Sequence, residues 1–119
     1  MMPEIVSFER RRYPRFNIDL PVRYNKVDSS IGYNGRAMNV SEGGLLICSP
    51  ERIGINQHLK SKLFFILGSE LNTVEMETQV VWTDFYLNKA WGDYRSGIRF
   101  TDISTEDMTK LKMFMKNLS

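Results

Sequence analysis

The feature that most constrains this chain is a change of period. From Asn17 to about Ile103 its apolar residues recur every second position in short runs broken by turn formers, and over the last fifteen residues they recur every three or four. Period two places alternate side chains on opposite faces of a strand, whereas spacings of three and four line one face of a helix. In "NIDLPVRY", Ile18, Leu20, Val22 and Tyr24 alternate with Asp19, Pro21 and Arg23, which reads as a half-buried first strand with Pro21 at an edge or bulge. "DSSIGYNG" follows, and its Asn34-Gly35 dipeptide predicts a hairpin with a return strand over Arg36–Val40. Leu45–Cys48, "HLKSKLFFIL", "VEMETQVVWTDF" and "DYRSGIRFTDI" supply four more strands, the fifth with Val74, Met76, Thr78, Val80 and Trp82 on one side. Ser104 then predicts a helix cap, with Asp107 completing an approximate capping box and Met108, Leu111, Phe114, Met115 and Leu118 forming an apolar stripe. Six strands and one terminal helix make a mainly β chain, expected as a small barrel with the helix across an open end.

At 119 residues and 42% hydrophobic content, one domain with one modest core is expected. The longest apolar runs fall far short of the roughly 18 residues of a membrane-spanning helix, so no membrane insertion is expected. Pro3 and Glu4 stand where a secretory signal carries basic residues, which points to the cytoplasm. Cys48 is the only cysteine and His58 the only histidine, which excludes an internal disulfide and a Cys/His metal cluster. Cys48 sits in an apolar run and reads as a small buried hydrophobe, and His58 has no nucleophile pattern near it. No phosphate loop of the Walker kind and no dinucleotide fingerprint is present. The chain is therefore not expected to be an enzyme, and no catalytic residue, metal or cofactor is assigned.

Charge is concentrated where the chain begins. "FERRRYPRF", Phe8 to Phe16, holds Arg10, Arg11, Arg12 and Arg15 beside the single acid Glu9, leaving 12 basic residues against 13 acidic ones elsewhere. Proteins that coat long polyanions spread Lys and Arg over a face, because each neutralised phosphate adds affinity. A cationic segment this small suits a small anion. Arginine forms forked hydrogen bonds to phosphate oxygens and to the O6/N7 edge of guanine, and also stacks on aromatic faces. A second stretch, "NVSEGG", offers Asn39 and Ser41 as hydrogen-bonding groups at a strand-to-turn junction. Its Gly43 and Gly44 are read as permitting positive φ angles and close approach of a ligand to main-chain N–H groups. Taken singly, the first stretch also reads as a solvated arm and the second as an ordinary turn.

Together the two stretches resemble the PilZ domain, the bacterial receptor module for cyclic di-GMP, which is marked by RxxxR ahead of the first strand and (D/N)xSxxG some way after it. Here these are "RRYPR", Arg11–Arg15, and "NVSEGG", Asn39–Gly44, with "VVW" and "GIRF" as further similar patches. The resemblance implies a six-stranded antiparallel barrel over 17–119 with a helix at about 104–118, preceded by a flexible N-terminal arm over 1–16. It implies that Arg11 and Arg15 grip phosphates and guanine edges, while Asn39, Ser41, Gly43 and Gly44 surround a guanine. Asn39 stands where Asp is more frequent, and accepts a hydrogen bond without full negative charge. Arg10, immediately before RxxxR, resembles the type that holds two intercalated ligands. The implied output is relay to an unidentified downstream protein through ordering of the arm. A small nucleic-acid-binding protein using Phe8, Tyr13 or Phe16 for stacking, and an adaptor without ligand, are the alternatives; the acidic remainder disfavours DNA or RNA as a partner.

Overall fold

The structure is a computed structural model and describes residues 13–88 and 92–118. Its elements are β1 (Phe16–Lys26), β2 (Tyr33–Val40), β3 (Gly44–Ser49), β4 (His58–Leu67), β5 (Glu70–Asn88), β6 (Gly92–Ile103) and α1 (Thr105–Leu118). The strands form a closed antiparallel barrel in the order β1-β2-β3-β6-β5-β4, with β4 returning to β1. Closure leaves no open sheet edge around the body of the barrel.

The alternation read from the sequence is the alternation of burial. Val22 and Tyr24 of β1, Ala37 and Val40 of β2, Ile47 of β3, Leu59, Leu63 and Phe65 of β4, and Val74 and Val80 of β5 all point inward. Helix α1 adds Leu111, Phe114 and Met115 to the same core, with the Phe114 ring stacked on Phe65 at 4.5 Å between centroids. Burying side chains of this size contributes about 1.5–3 kcal/mol each. Ser104 caps the helix, its Oγ accepting Asp107 N–H at 3.0 Å. The Asp107 carboxylate does a different job from the one its spacing suggests, accepting Glu75 N–H at 2.9 Å and so tying the helix start to β5. Cys48 is fully buried. Tyr24 is buried too, and its hydroxyl donates to the Glu51 carboxylate, joining β1 to the segment after β3. Burial first, and that hydrogen bond second, push the phenol's pKa far up, so it stays protonated.

Four local expectations are corrected. Asn34 and Gly35 are not a turn: they lie inside β2, opposite Arg23 and Val22, and residues 27–32 make the connection. Gly35 is required for space, because a Cβ there would lie 2.6 Å from the Cys48 carbonyl oxygen. Trp82 does not continue the buried face of β5. The β5–β6 register shifts between Val80 and Trp82, and this bulge leaves Val81 and Trp82 44% and 39% exposed. Phe16 belongs to β1 and not to the arm, while Leu118, at the end of the helical stripe, is 43% exposed and outside the core. Residues 1–12, with most of the expected arm, lie outside the described residues. Among the described residues no helix is long and apolar enough to cross a membrane, and no group of His, Cys, Asp and Glu is placed to hold a metal ion.

Candidate ligand-binding site

The β1–β2 register sets Phe16 opposite Val40 and Asn17 opposite Asn39, which carries the residue before β1 to the turn after β2. Arg15 and Asn39, 24 positions apart in the chain, therefore meet: the guanidinium Nη1 donates to Asn39 Oδ1 at 3.3 Å. The turn from Ser41 to Gly44 is held from within, by Ser41 N–H to the Gly44 carbonyl and by Gly43 N–H to Ser41 Oγ, both at 3.0 Å. Its other side is fixed to β6 by Phe100 N–H donating to the Gly43 carbonyl at 2.9 Å. Ser41 is 7% exposed, so its hydroxyl is positioned by the turn and not by solvent.

Neither glycine of the turn adopts a positive φ; among the described glycines only Gly68 and Gly92 do. The positive-φ reading of Gly43 and Gly44 is therefore corrected, and their requirement is steric. A Cβ on Gly44 would lie 2.1 Å from the Ile98 carbonyl oxygen, and one on Gly43 would lie 3.2 Å from the Tyr13 ring.

Arg15, Ser41, Gly43 and Gly44 line a cavity of about 630 Å³, completed by Tyr13, Leu45, Val81, Trp82 and residues of β6. That volume lies within the range of small-molecule sites, about 300–1,000 Å³. Asn39 reaches it through its bond to Arg15. Arg10 and Arg11 lie outside the described residues. The sequence assigns Trp82 and Gly97 no part in the site. The bulge after Val80 turns the indole out of the core, and Gly97 accepts it face to backbone, since a Cβ there would lie 2.2 Å from Trp82 Nε1. Behind the indole, Arg95 lies 5.5 Å from the Trp82 ring and 4.6 Å from the Tyr86 ring, and forks onto the Asp84 carboxylate at 3.2 and 2.8 Å. The Arg95 hydrogen bond holds the Asp84 carboxyl below its ordinary range. Arg99 also borders the cavity but is committed to Gln79 Oε1, at 2.6 and 3.1 Å. The site thus presents a guanidinium, a hydroxyl-bearing turn and an indole, groups suited to an anion that carries flat rings.

A second hollow, about 460 Å³, lies along β1, β4, β5 and β6. Its charges are mixed, with Arg23, Lys60 and Lys62 facing Glu75, Glu77 and Asp102, and Lys62 already lies 3.4 Å from Glu75.

The protein is thus an antiparallel barrel with a C-terminal helix packed into its core and an arginine ahead of its first strand bonded to Asn39 near the end of its second. Residues 9–117 match the PilZ domain, and the chain belongs to that family. Among solved structures it is similar to the inhibitor of motility MotI/DgrA of Bacillus subtilis, with a TM-score of 0.74 and 15% identity over 92% of this chain and 52% of that one. It is similar to the PilZ domain with c-di-GMP of YcgR from Escherichia coli, with a TM-score of 0.69 and 15% identity over 92% and 91% of the two chains. The K. pneumonia MrkH–c-di-GMP complex gives 0.67 and 17%, over 92% and 51%. The chain thus spans about half the length of MotI/DgrA and of MrkH, and at these identities the likeness is one of fold. A comparison with curated protein sequences finds no match.

Proposed function

We propose that this chain is a receptor for cyclic di-GMP that works by binding and not by catalysis. The observation that carries the reading is the Arg15–Asn39 contact at the rim of a cavity lined by Ser41, Gly43 and Gly44. Family membership and neighbours solved with c-di-GMP support it. In this reading Arg11 and Arg15 bind phosphates and guanine edges, and Asn39 and Ser41 address a guanine. Trp82, exposed on the cavity wall, offers a stacking face. The arm carrying Arg10, Arg11 and Arg15 relays occupancy to a separate protein, in the cytoplasm.

Calorimetry with cyclic di-GMP, cyclic di-AMP, GTP and a short oligonucleotide at one salt concentration tests this. Cyclic di-GMP should bind with roughly micromolar affinity, about −8 kcal/mol. Cyclic di-AMP should bind more weakly, because adenine presents a donor where an arginine fork needs an acceptor. Equal heats for the two dinucleotides, or tighter binding of the oligonucleotide, would falsify the reading.

Stoichiometry is a separate expectation. Two stacked ligands bring four negative charges together, and Arg10 adds a guanidinium that offsets this repulsion. Wild type should saturate near two cyclic di-GMP per chain and Arg10→Leu near one, titrated well above the dissociation constant. A wild-type value near one removes the role given to Arg10.

A further inference from the structure

Strand β5 outruns the wall that supports it. Its ladder with β4 ends at Gln79 opposite His58. The last bonds on that side are Asn56 N–H to the Val80 carbonyl at 2.8 Å and Val80 N–H to the Gln57 carbonyl at 2.9 Å. β5 then continues to Asn88, paired with β6 on its other side, for example Asp84 with Arg95 and Phe85 with Tyr94. Among the described residues nothing pairs with the β5 edge beyond Val80, so alternate N–H and C=O groups there face outward. Such an edge is a template for another strand, and monomeric proteins blunt it with Lys, Pro, bulges or inward charges. No Lys, Pro or Gly lies between Val80 and Tyr86, and between the register shifts at Val80/Trp82 and Phe85/Asn88 the β5–β6 ladder runs regularly from Trp82 to Phe85. Trp82, Phe85 and Tyr86 are 39%, 62% and 44% exposed along it, and such side chains are the ones that anchor interfaces.

We propose that this edge pairs antiparallel with the same edge of a second copy, giving a two-fold dimer whose sheet runs from β6 through both β5 strands to the other β6. Self-pairing about a two-fold axis sets each residue opposite one on the same face, and charge selects the register. Centring on Asp84 would put two carboxylates directly opposite, which is unfavourable, whereas centring on Phe85 opposes two aromatic rings. Phe85 already meets Tyr94 edge to face at 5.8 Å, so that register gathers four rings at the axis. It also sets Asp84 opposite Tyr86 of the second copy, the ring that Arg95 covers at 4.6 Å. Each carboxylate then faces a cation of the other chain. This self-complementarity selects a second copy over an unrelated strand as the occupant.

The test needs no cyclic di-GMP, so it stands or falls independently of the ligand reading. In sedimentation or light scattering over a concentration series, wild type should rise to twice its monomer mass. Phe85→Lys should stay monomeric with an unchanged circular dichroism spectrum. Phe85→Cys should form an intermolecular disulfide on mild oxidation, because directly opposed residues of an antiparallel pair lie about 4.5–5.5 Å apart, within disulfide reach. Tyr86→Cys should crosslink far more slowly, since it opposes Asp84 and not itself, and the native Cys48 is buried. A monomer at every concentration, open-ended aggregation, a dimer that survives Phe85→Lys, or equal crosslinking of the two cysteine variants overturns the proposal.

Discussion

Arg15→Ala is expected to abolish measurable cyclic di-GMP binding while leaving the unliganded fold intact. The side chain is exposed, and its hydrogen bond in the structure is one long contact to Asn39 at 3.3 Å. Surface substitutions of this kind usually change stability by no more than about 0.5 kcal/mol. Removing a hydrogen-bonding group that meets a charged partner costs about 1.5–3 kcal/mol, and a forked contact to phosphate costs more. From a starting affinity near micromolar, that loss is at least tenfold and takes the titration out of range. Ser41→Ala should cost less, since the Ser41 main chain still closes the turn through its N–H. Melting temperatures with and without ligand separate the cases: ligand should raise the wild-type value, because it binds only the native state, and should leave that of Arg15→Ala unchanged. Arg15→Ala unfolding without ligand would instead mark the arginine as a structural residue.

What the sequence discloses about this fold depends on whether local and long-range demands agree. They agree in β4, where "HLKSKLFFIL" forms a strand over His58–Leu67 and Leu59, Ser61, Leu63 and Phe65 are buried at every second position. They agree in α1, where the stripe, the cap at Ser104 and the burial of Leu111, Phe114 and Met115 coincide. They disagree at Asn34 and Gly35, a strong turn signal that is overruled because Gly35 is the residue able to pass the Cys48 carbonyl. They disagree again at Trp82, since a bulge is a property of two paired strands and leaves no mark in the periodicity of one. The same division holds in the site. Arg15, Ser41, Gly43 and Gly44 are carried by short motifs and do converge on one cavity. Trp82 and Gly97 join them because β5 and β6 meet with shifted register, which only the fold discloses. The "VVW" and "GIRF" patches are the signal the sequence carries, visible as similarity but silent on which way the indole faces.

The largest stability effect is expected from Gly44→Ala. The added methyl would lie 2.1 Å from the Ile98 carbonyl oxygen and 3.0 Å from Arg99 Cα, and both are main-chain atoms of β6 that cannot rotate aside. Gly44 pairs with Arg99, and its neighbour Gly43 accepts the Phe100 N–H, so β3 must move off β6 where the barrel closes. Overpacking a rigid site costs about 1–3 kcal/mol and occasionally more; with ladder bonds also strained, the upper end of that range is expected. Because the same turn presents Ser41, ligand affinity should fall with it. Gly43→Ala should be milder, since its nearest contact is the Tyr13 ring, a side chain 40% exposed and free to shift. Gly54→Ala supplies the control. It has no atom within 4 Å of an added Cβ and no positive φ, so it should be neutral or slightly stabilising through the unfolded chain. Urea denaturation of the three variants should therefore rank them Gly54→Ala, Gly43→Ala and Gly44→Ala in falling midpoint. A Gly44→Ala midpoint equal to that of Gly54→Ala would show that β3 and β6 are not packed as closely as this barrel requires.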